Sequence, residues 1–221
     1  THLNEDLYQI NSFKKDIKNK NDIIVSPKKF SKIKAILSPT VCQHLYCMLS
    51  NSKVASNFTA TASGSCFRYE SKNMNFLNRL WNFTMREIIF IGSENYVKNR
   101  LTLSQNLTKD LLDDIGLIYK IQTANDPFFG ENSGDKLLFQ KTFKLKHEVR
   151  AKIPYNNSSI AIGSFNNAQD FFAKKLKITN KSSKYIHSAC LGFGNERFAY
   201  SFVCQYGINI KKWPSAISKL M

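Results

Sequence analysis

The hydrophobic pattern of this chain predicts several strands interleaved with helices. Apolar residues alternate or run together in six segments, as strand residues do, and we place strands at 60–69, 83–91, 118–123, 141–153, 159–164 and 174–178. Helical spacing of apolar residues occurs instead at 43–49 and 95–117, where Gly116 marks a helix end. A glycine-broken strand before Arg197 turns into a buried helix after it. These elements predict an α+β fold, a mostly antiparallel sheet flanked by helices.

The same pattern predicts one domain for residues 1–221. Apolar residues within positions 1–21 recur every three to four residues, which predicts an amphipathic helical lead-in. No internal repeat, long linker or low-complexity segment interrupts the remainder. We therefore expect a single catalytic-size domain rather than two small ones.

The composition is that of a folded protein with a sizeable core, since 43% of the residues are hydrophobic and 13% aromatic. No run approaches the roughly 18 consecutive apolar residues of a membrane-spanning helix, and the N-terminal segment has no secretory signal pattern. Five cysteines at wide spacings argue against a disulfide framework. We expect a cytoplasmic protein whose reduced thiols are able to bind metal.

The net charge of +16, from 32 basic and 16 acidic residues, first suggests nucleic-acid binding. The excess is mostly lysine in a chain also rich in asparagine and isoleucine, a bias that often accompanies an AT-rich genome. A basic surface would equally suit ATP or an acidic protein partner. Charge alone therefore leaves these partners open.

Two strands carry an arginine at a position suited to bind phosphate. The first segment reads Cys-Phe-Arg-Tyr-Glu at 66–70, and the second reads Gly-Phe-Gly-Asn-Glu-Arg at 192–197. Glycines allow a ligand to approach the backbone closely, and a guanidinium group presents a planar fork of donors to a polyphosphate. Together the two segments predict one nucleotide site.

These segments resemble motifs 2 and 3 of the class II aminoacyl-tRNA synthetases, in particular the zinc-dependent seryl type. The likeness includes 83–87, 124–130 and 164–171 and covers about residues 39–214. The chain looks most like the amino acid:carrier protein ligases, truncated relatives that charge the phosphopantetheine arm of an acyl or peptidyl carrier protein instead of tRNA. The resemblance implies a class II catalytic domain, generally a homodimer, that uses ATP to activate a small amino acid, glycine or alanine ahead of serine.

The resemblance also implies a zinc site. Cys42, Glu87 and Cys190 correspond to the three zinc ligands of the family, and their separations of 45 and 103 residues put them on three different elements. Two thiolates and one carboxylate would leave the fourth position of a tetrahedral Zn²⁺ open for the α-amino group of the substrate. The competing interpretation is that Cys42 and Cys190 are ordinary buried cysteines.

An ATP clamp is implied in the same way. Arg68 matches the arginine that contacts the α-phosphate, and Arg197 matches the motif 3 arginine that holds the γ-phosphate. Glu70 corresponds to the glutamate that seats the adenine end or the amino acid, and we place Phe83 with the ATP-binding residues. On residue type alone, Arg68 and Glu70 could equally form a solvated ion pair. Arg197 could equally be a buried structural residue, and Phe83 a core residue.

The expected magnesium site departs from the family pattern. Synthetases of this type usually carry a glutamate where this chain has Ala161, so one oxygen ligand for a Mg²⁺ that bridges the phosphates is missing. Ser164 and Asn167 remain, and Glu148 could offer a carboxylate from the neighbouring predicted strand. Either these residues compensate or the activation of ATP is weakened.

The acceptor is predicted from the shortness of the chain. A seryl-tRNA synthetase needs an additional tRNA-recognition module, and the first 40 residues are too few to form one, so we expect a carrier protein as acceptor rather than tRNA. Two alternatives stay open. The chain could be a fragment of a seryl-type synthetase, or a non-catalytic basic paralogue that binds RNA or protein. Ala161, the net charge of +16 and the lack of a recognisable motif 1 favour the second alternative.

Overall fold

A six-stranded antiparallel sheet forms the centre of the protein, whose computed structural model describes residues 37–68, 76–124 and 145–219. The strands are, in chain order, β1 (Lys53–Val54), β2 (Phe58–Phe67), β3 (Asn82–Gly92), β4 (Tyr119–Thr123), β5 (Lys146–Ile153), β6 (Ser158–Gln169), β7 (Thr179–Asn180) and β8 (His187–Gly194). The order across the central sheet is β2-β3-β8-β6-β5-β4, and each neighbouring pair is antiparallel. Strands β1 and β7 form a separate short parallel pair.

The described ranges also contain helices that pack on both faces of the sheet. The α-helices are α1 (Cys42–Met48), α2 (Glu94–Asp114), α3 (Phe171–Leu176), α4 (Asn195–Tyr206) and α5 (Ser215–Ser218), and 3-10 helices lie at Phe76–Asn78, Pro154–Asn156 and Ile210–Lys212. Helix α2 begins where Ser93 Oγ accepts a hydrogen bond from the Tyr96 amide, and it is followed by Gly116 at φ 65°. Within these ranges, no helix is long and apolar enough to cross a membrane.

The main core lies between the sheet and the two long helices α2 and α4. Leu112 of α2 and Phe202 of α4 pack with Val149, Ile162 and Phe165 of the sheet, and all five side chains are buried. A fully buried side chain of this size contributes about 1.5–3 kcal/mol through the hydrophobic effect. This packing fixes β5, β6 and β8 side by side.

The opposite face of the sheet, which we call the site face, carries α1 and α3 near the end of β3. Cys42 and Tyr46 of α1 pack there with Ile89 of β3, Cys190 of β8 and Ala173 of α3. Because strand residues alternate between faces, the residues of β5, β6 and β8 that alternate with those packed against α2 and α4 are directed to this face.

The α+β architecture predicted from the sequence is confirmed, with one element assigned wrongly. Residues 174–178 are not a strand, since they form the end of α3 and the turn after it. Phe172, Ala173 and Leu176 pack at helical spacing, and Lys177 at φ 55° ends the helix before the buried Ile178. The alternation of lysine and apolar residues at the end of this segment imitates a strand, whereas the helical period begins earlier.

The remaining predicted strands overlap β2 to β6, although β6 is longer than predicted and continues past residue 164 to Gln169. The part of the predicted strand at 141–144 and the helical lead-in at 1–21 lie outside the described residues.

Candidate active site

Three residues far apart in sequence lie close together, buried on the site face. Cys42 is the first residue of α1, Glu87 lies on β3 and Cys190 lies on β8. Their potential ligand atoms all lie within 4.8 Å of one another. The three residues are 6%, 1% and 7% exposed, respectively. The structure thus brings together the three residues predicted as metal ligands, and we call them the ligand cluster.

The local fold explains how Glu87 reaches this position. Its carboxylate accepts hydrogen bonds from the backbone amides of Val41 and Cys42, each at 3.1 Å, so the start of α1 holds both oxygens. On β8, Gly192 lies directly opposite Glu87. A Cβ atom at Gly192 would lie 3.2 Å from Glu87 Cγ and 3.0 Å from Met85 Cε. Glycine therefore leaves the space that the carboxylate occupies.

Burial works against charge in the ligand cluster. Burial raises the pKa of the Glu87 carboxyl group, while its hydrogen bonds with Cys42 and Val41 oppose that rise. A hydrogen bond with Cys42 and burial both raise the pKa of Cys190. Burial likewise raises the pKa of Tyr46, one helical turn after Cys42.

The donor chemistry of the ligand cluster fits a zinc ion. Thiolates combined with a carboxylate are ligands that Zn²⁺ accepts, and three protein ligands with one open position are typical of catalytic zinc. A bound divalent cation would favour the ionised forms that burial alone disfavours. Cys42, Glu87 and Cys190 are thus the residues that could hold the metal.

Asn166 adjoins the ligand cluster and was not among the predicted site residues. Its Nδ2 lies 3.7 Å from Cys190 Sγ and 3.0 Å from Ser164 Oγ. Asn167, which the sequence predicted as an ATP-site residue, is the next residue on β6, and its Oδ1 accepts a hydrogen bond from the Gln169 amide. Strand alternation from Ser164 was the available signal, because residues two apart share a face of the sheet.

Arg68 lies immediately after β2, close to Phe83 of β3. Its guanidinium carbon is 5.0 Å from the centre of the Phe83 ring, and its Nε donates to the Pro39 carbonyl at 3.2 Å. Its NH2 group lies 3.8 Å from Met85 Sδ. Phe83, Met85 and Glu87 alternate along β3, so Arg68 sits along the same face of the strand as the ligand cluster. Glu70, predicted as its neighbour in the site, lies outside the described residues.

Arg197 lies in the first turn of α4, just beyond β8. Its NH1 group is 3.4 Å from the Ala161 carbonyl of β6. The preceding residue, Glu196, accepts the Thr84 amide at 2.8 and 3.0 Å, which ties the start of α4 to β3. The arginine is therefore held near the ends of β3, β8 and β6.

Glu148 and Ser164, the two predicted oxygen donors, lie directly opposite each other on β5 and β6. The carboxylate of Glu148 is engaged by two cations, with Arg150 NH1 at 3.0 Å and Lys146 Nζ at 4.0 Å. Arg150 in turn lies opposite Ala161. Ala161, the position where the sequence predicted a missing magnesium ligand, therefore lies opposite a cationic residue of β5.

The six-stranded antiparallel sheet flanked by helices agrees with the class II synthetase core expected from the sequence. The chain belongs to the family described as the tRNA synthetase class II core domain (G, H, P, S and T), whose model matches residues 26–206.

Among characterised proteins, the chain is similar to two amino acid–[acyl-carrier-protein] ligases of Bradyrhizobium diazoefficiens. It is 31% identical to ligase 2 over 192 residues, which cover 84% of this chain and 56% of that protein. It is 27% identical to ligase 1 over 190 residues, which cover 84% and 57%. The chain thus spans somewhat over half the length of these relatives.

A solved structure supports the same fold. The seryl-tRNA synthetase of M. kandleri, determined in complex with tRNASec of A. aeolicus, matches with a TM-score of 0.72 at 21% identity, over 82% of this chain and 37% of that one. At this level of identity the likeness concerns the fold alone.

Proposed function

We propose that this domain activates a small amino acid with ATP as an aminoacyl-adenylate and transfers it to the phosphopantetheine thiol of a carrier protein. The observation that supports this most is the ligand cluster, in which three buried donors from three elements lie within 4.8 Å of one another. The similarity to two amino acid–[acyl-carrier-protein] ligases favours a carrier protein as the acceptor.

In this proposal Cys42, Glu87 and Cys190 hold Zn²⁺. The ion, when bound, supplies a Lewis-acidic position for the neutral α-amino group of the substrate. The backbone amides of Val41 and Cys42 keep the Glu87 carboxylate oriented, so the cluster is preorganised. This arrangement would select an α-amino acid. The proposed substrate is glycine or alanine, and serine is the less favoured alternative.

Arg68 is the proposed donor to the α-phosphate of ATP. Attack of the substrate carboxylate at the α-phosphorus increases negative charge on the phosphate oxygens, and a fixed guanidinium group stabilises that charge. The Pro39 carbonyl accepts from Arg68 Nε and Met85 Sδ lies near its NH2 group, so the guanidinium group is held beside β3. Phe83 contacts the guanidinium group, so we propose that it positions Arg68 as well as lining the ATP site.

Arg197 is the proposed contact for the γ-phosphate, at the start of α4 and beside Ala161. Magnesium would enter with ATP, and Ser164 and Glu148, which lie opposite each other on β6 and β5, are its proposed oxygen donors. Arg150 and Lys146 already pair with the negative charge of Glu148, which weakens Glu148 as a magnesium ligand. We therefore propose that cationic side chains neutralise part of the phosphate charge alongside Mg²⁺. No residue needs to act as a covalent nucleophile, since positioning supplies much of the rate.

A second candidate is a non-catalytic paralogue that keeps the fold and binds RNA or protein. Ala161 favours it, because a carboxylate expected beside the phosphates is replaced by a methyl group.

The seryl-tRNA ligase alternative is supported by the similarity to the type-2 serine–tRNA ligase of Methanococcus maripaludis, 24% identical over 83% of this chain and 37% of that protein.

Pyrophosphate exchange separates the enzyme from the binding protein. The purified chain would be incubated with ATP, labelled pyrophosphate, Mg²⁺, Zn²⁺ and each amino acid in turn. We expect label to enter ATP with glycine or alanine. Absence of exchange with every amino acid, in a folded and zinc-loaded protein, would favour the non-catalytic paralogue.

A further inference from the structure

Asn166 lies directly across the sheet from one member of the ligand cluster. In the β6–β8 register Asn166 pairs with Cys190, and its Nδ2 is 3.7 Å from Cys190 Sγ. The same nitrogen donates to Ser164 Oγ at 3.0 Å, on the same face of β6. The side-chain amide is therefore held between a hydroxyl group of its own strand and the sulfur atom of the neighbouring strand.

Neutral polar groups contact each member of the ligand cluster. Glu87 accepts hydrogen bonds from two backbone amides at the start of α1. Cys42 Sγ lies 3.4 Å from Thr40 Oγ1. Cys190 receives its contact from Asn166, across the sheet. Two thiolates and one carboxylate carry one more negative charge than a divalent cation balances, so the donors directed at Glu87 and Cys190 stabilise the loaded site.

We propose that Asn166 is a positioning residue of the metal site, which donates to the Cys190 thiolate and fixes the direction in which its sulfur atom points. The inference rests on the proposed function in that it requires the cluster to bind metal. The amide nitrogen carries two hydrogens, so it can donate to Ser164 and to Cys190 together. A hydroxyl group, with a single hydrogen, cannot serve both acceptors at once.

The adjacent residue provides a matched control. Asn167 follows Asn166 on β6, but strand alternation turns it to the other face, where its Oδ1 accepts the Gln169 amide at 3.0 Å. Asn166→Ala and Asn167→Ala therefore make the same chemical change at neighbouring positions. Asn166→Leu keeps a side chain of similar size and shape but removes its donors, which separates hydrogen bonding from packing.

The test measures metal binding by the full chain and does not depend on its activity. Zn²⁺ affinity is determined by competition with a chelator, and the Co²⁺-loaded protein is examined for the absorption band that arises from thiolate ligation. We expect Asn166→Ala and Asn166→Leu to lose about 10- to 100-fold in Zn²⁺ affinity and to shift the cobalt–thiolate band. Asn167→Ala should match the parent in both measurements. The thermal midpoints of the metal-free proteins show that the variants fold.

Three results would overturn the inference. The first is an Asn166→Leu protein with the parent's zinc affinity and an unshifted cobalt band. The second is an equal loss in Asn166→Ala and Asn167→Ala, which would indicate general damage to β6. The third is a folded parent chain that binds neither metal, which would remove the metal site as well. A parent that binds zinc without exchanging pyrophosphate would contradict the proposed activity alone, and the Asn166 variants would still decide this inference.

Discussion

At the residue scale, Glu87 is the buried acid of the ligand cluster. The residue is 1% exposed, and burial raises the pKa of its carboxyl group. An ionised carboxylate in such a position costs several kcal/mol unless charge or hydrogen bonds compensate. The amides of Val41 and Cys42 provide part of that compensation. A bound metal ion would provide the remainder and would make the removal of any ligand costly.

Substitution of Cys190 tests the metal assignment directly. We expect about one zinc ion per parent chain, and Cys190→Ala should lose both the zinc and the pyrophosphate exchange because one of three ligands is gone. Cys47→Ala is the matched control, since Cys47 lies on α1 like Cys42 but is exposed. Elemental analysis of the purified proteins gives the stoichiometry. Full zinc occupancy with unchanged exchange in Cys190→Ala would eliminate the assignment.

Arg68 allows a second test at this scale. Arg68→Ala should slow adenylate formation by roughly 10²- to 10³-fold, because a fixed donor acts mainly on charge that develops in the transition state. Arg86→Ala is the control, since Arg86 is exposed on β3 and contacts Thr61 at 3.4 Å. Exchange kinetics at saturating ATP measure the effect. A normal kcat would remove Arg68 from the mechanism, and loss of the fold would show a structural role instead.

At the scale of elements, the pairing of β3 with β8 places a glycine opposite a member of the ligand cluster. Gly192 faces Glu87 across these strands, and its missing side chain leaves the space used by Glu87 and Met85. Gly194, two residues further along β8, has no atom within 4 Å of the position that a Cβ would take. The two glycines therefore differ in what an added methyl group would meet.

This difference predicts that two similar substitutions affect zinc binding and stability to different extents. Gly192→Ala should displace the Glu87 carboxylate, weaken zinc binding about tenfold or more and destabilise the fold by about 1–3 kcal/mol through overpacking. Gly194→Ala should retain zinc and lower the free energy of unfolding by less than about 1 kcal/mol. Gly194 is the N-cap residue of α4, and the substitution removes only the preference of glycine for that position. Zinc affinity and denaturant unfolding measure both. Equal zinc affinity in the two variants would contradict the packing argument.

The elements also show where sequence patterns suffice. Strands such as β3, and helix α2 with Gly116 after its end, could be predicted from the sequence. Helix α3 could not, because its last residues imitate strand alternation. The contact between Asn166 and Cys190 could not be predicted from the sequence, since only the register with β8 shows which residue of β6 meets Cys190. The proximity of Cys42, Glu87 and Cys190 was predicted only from the family resemblance, because sequence spacing alone does not predict contacts between such distant residues.

At the scale of the whole molecule, the net charge of +16 bears on the acceptor. A carrier protein delivers its thiol on a flexible arm, so a modest docking patch of lysines that meets acidic residues would suffice. Such a contact should weaken as salt rises, because exposed charges are screened over about 10 Å at 0.1 M ionic strength. A tRNA would also bind a basic surface, so salt dependence alone does not separate the two acceptors.

The most direct test of the central proposal offers both acceptors at once. The zinc-loaded chain is incubated with ATP, a radiolabelled small amino acid, a phosphopantetheinylated carrier protein and tRNA, and each acceptor is then isolated. We predict label on the carrier protein as a thioester, which neutral hydroxylamine releases, with tRNA uncharged. A carrier protein without the phosphopantetheine arm is the control and should remain unlabelled. Label on tRNA, with none on the carrier protein, would contradict the account and identify a tRNA ligase instead.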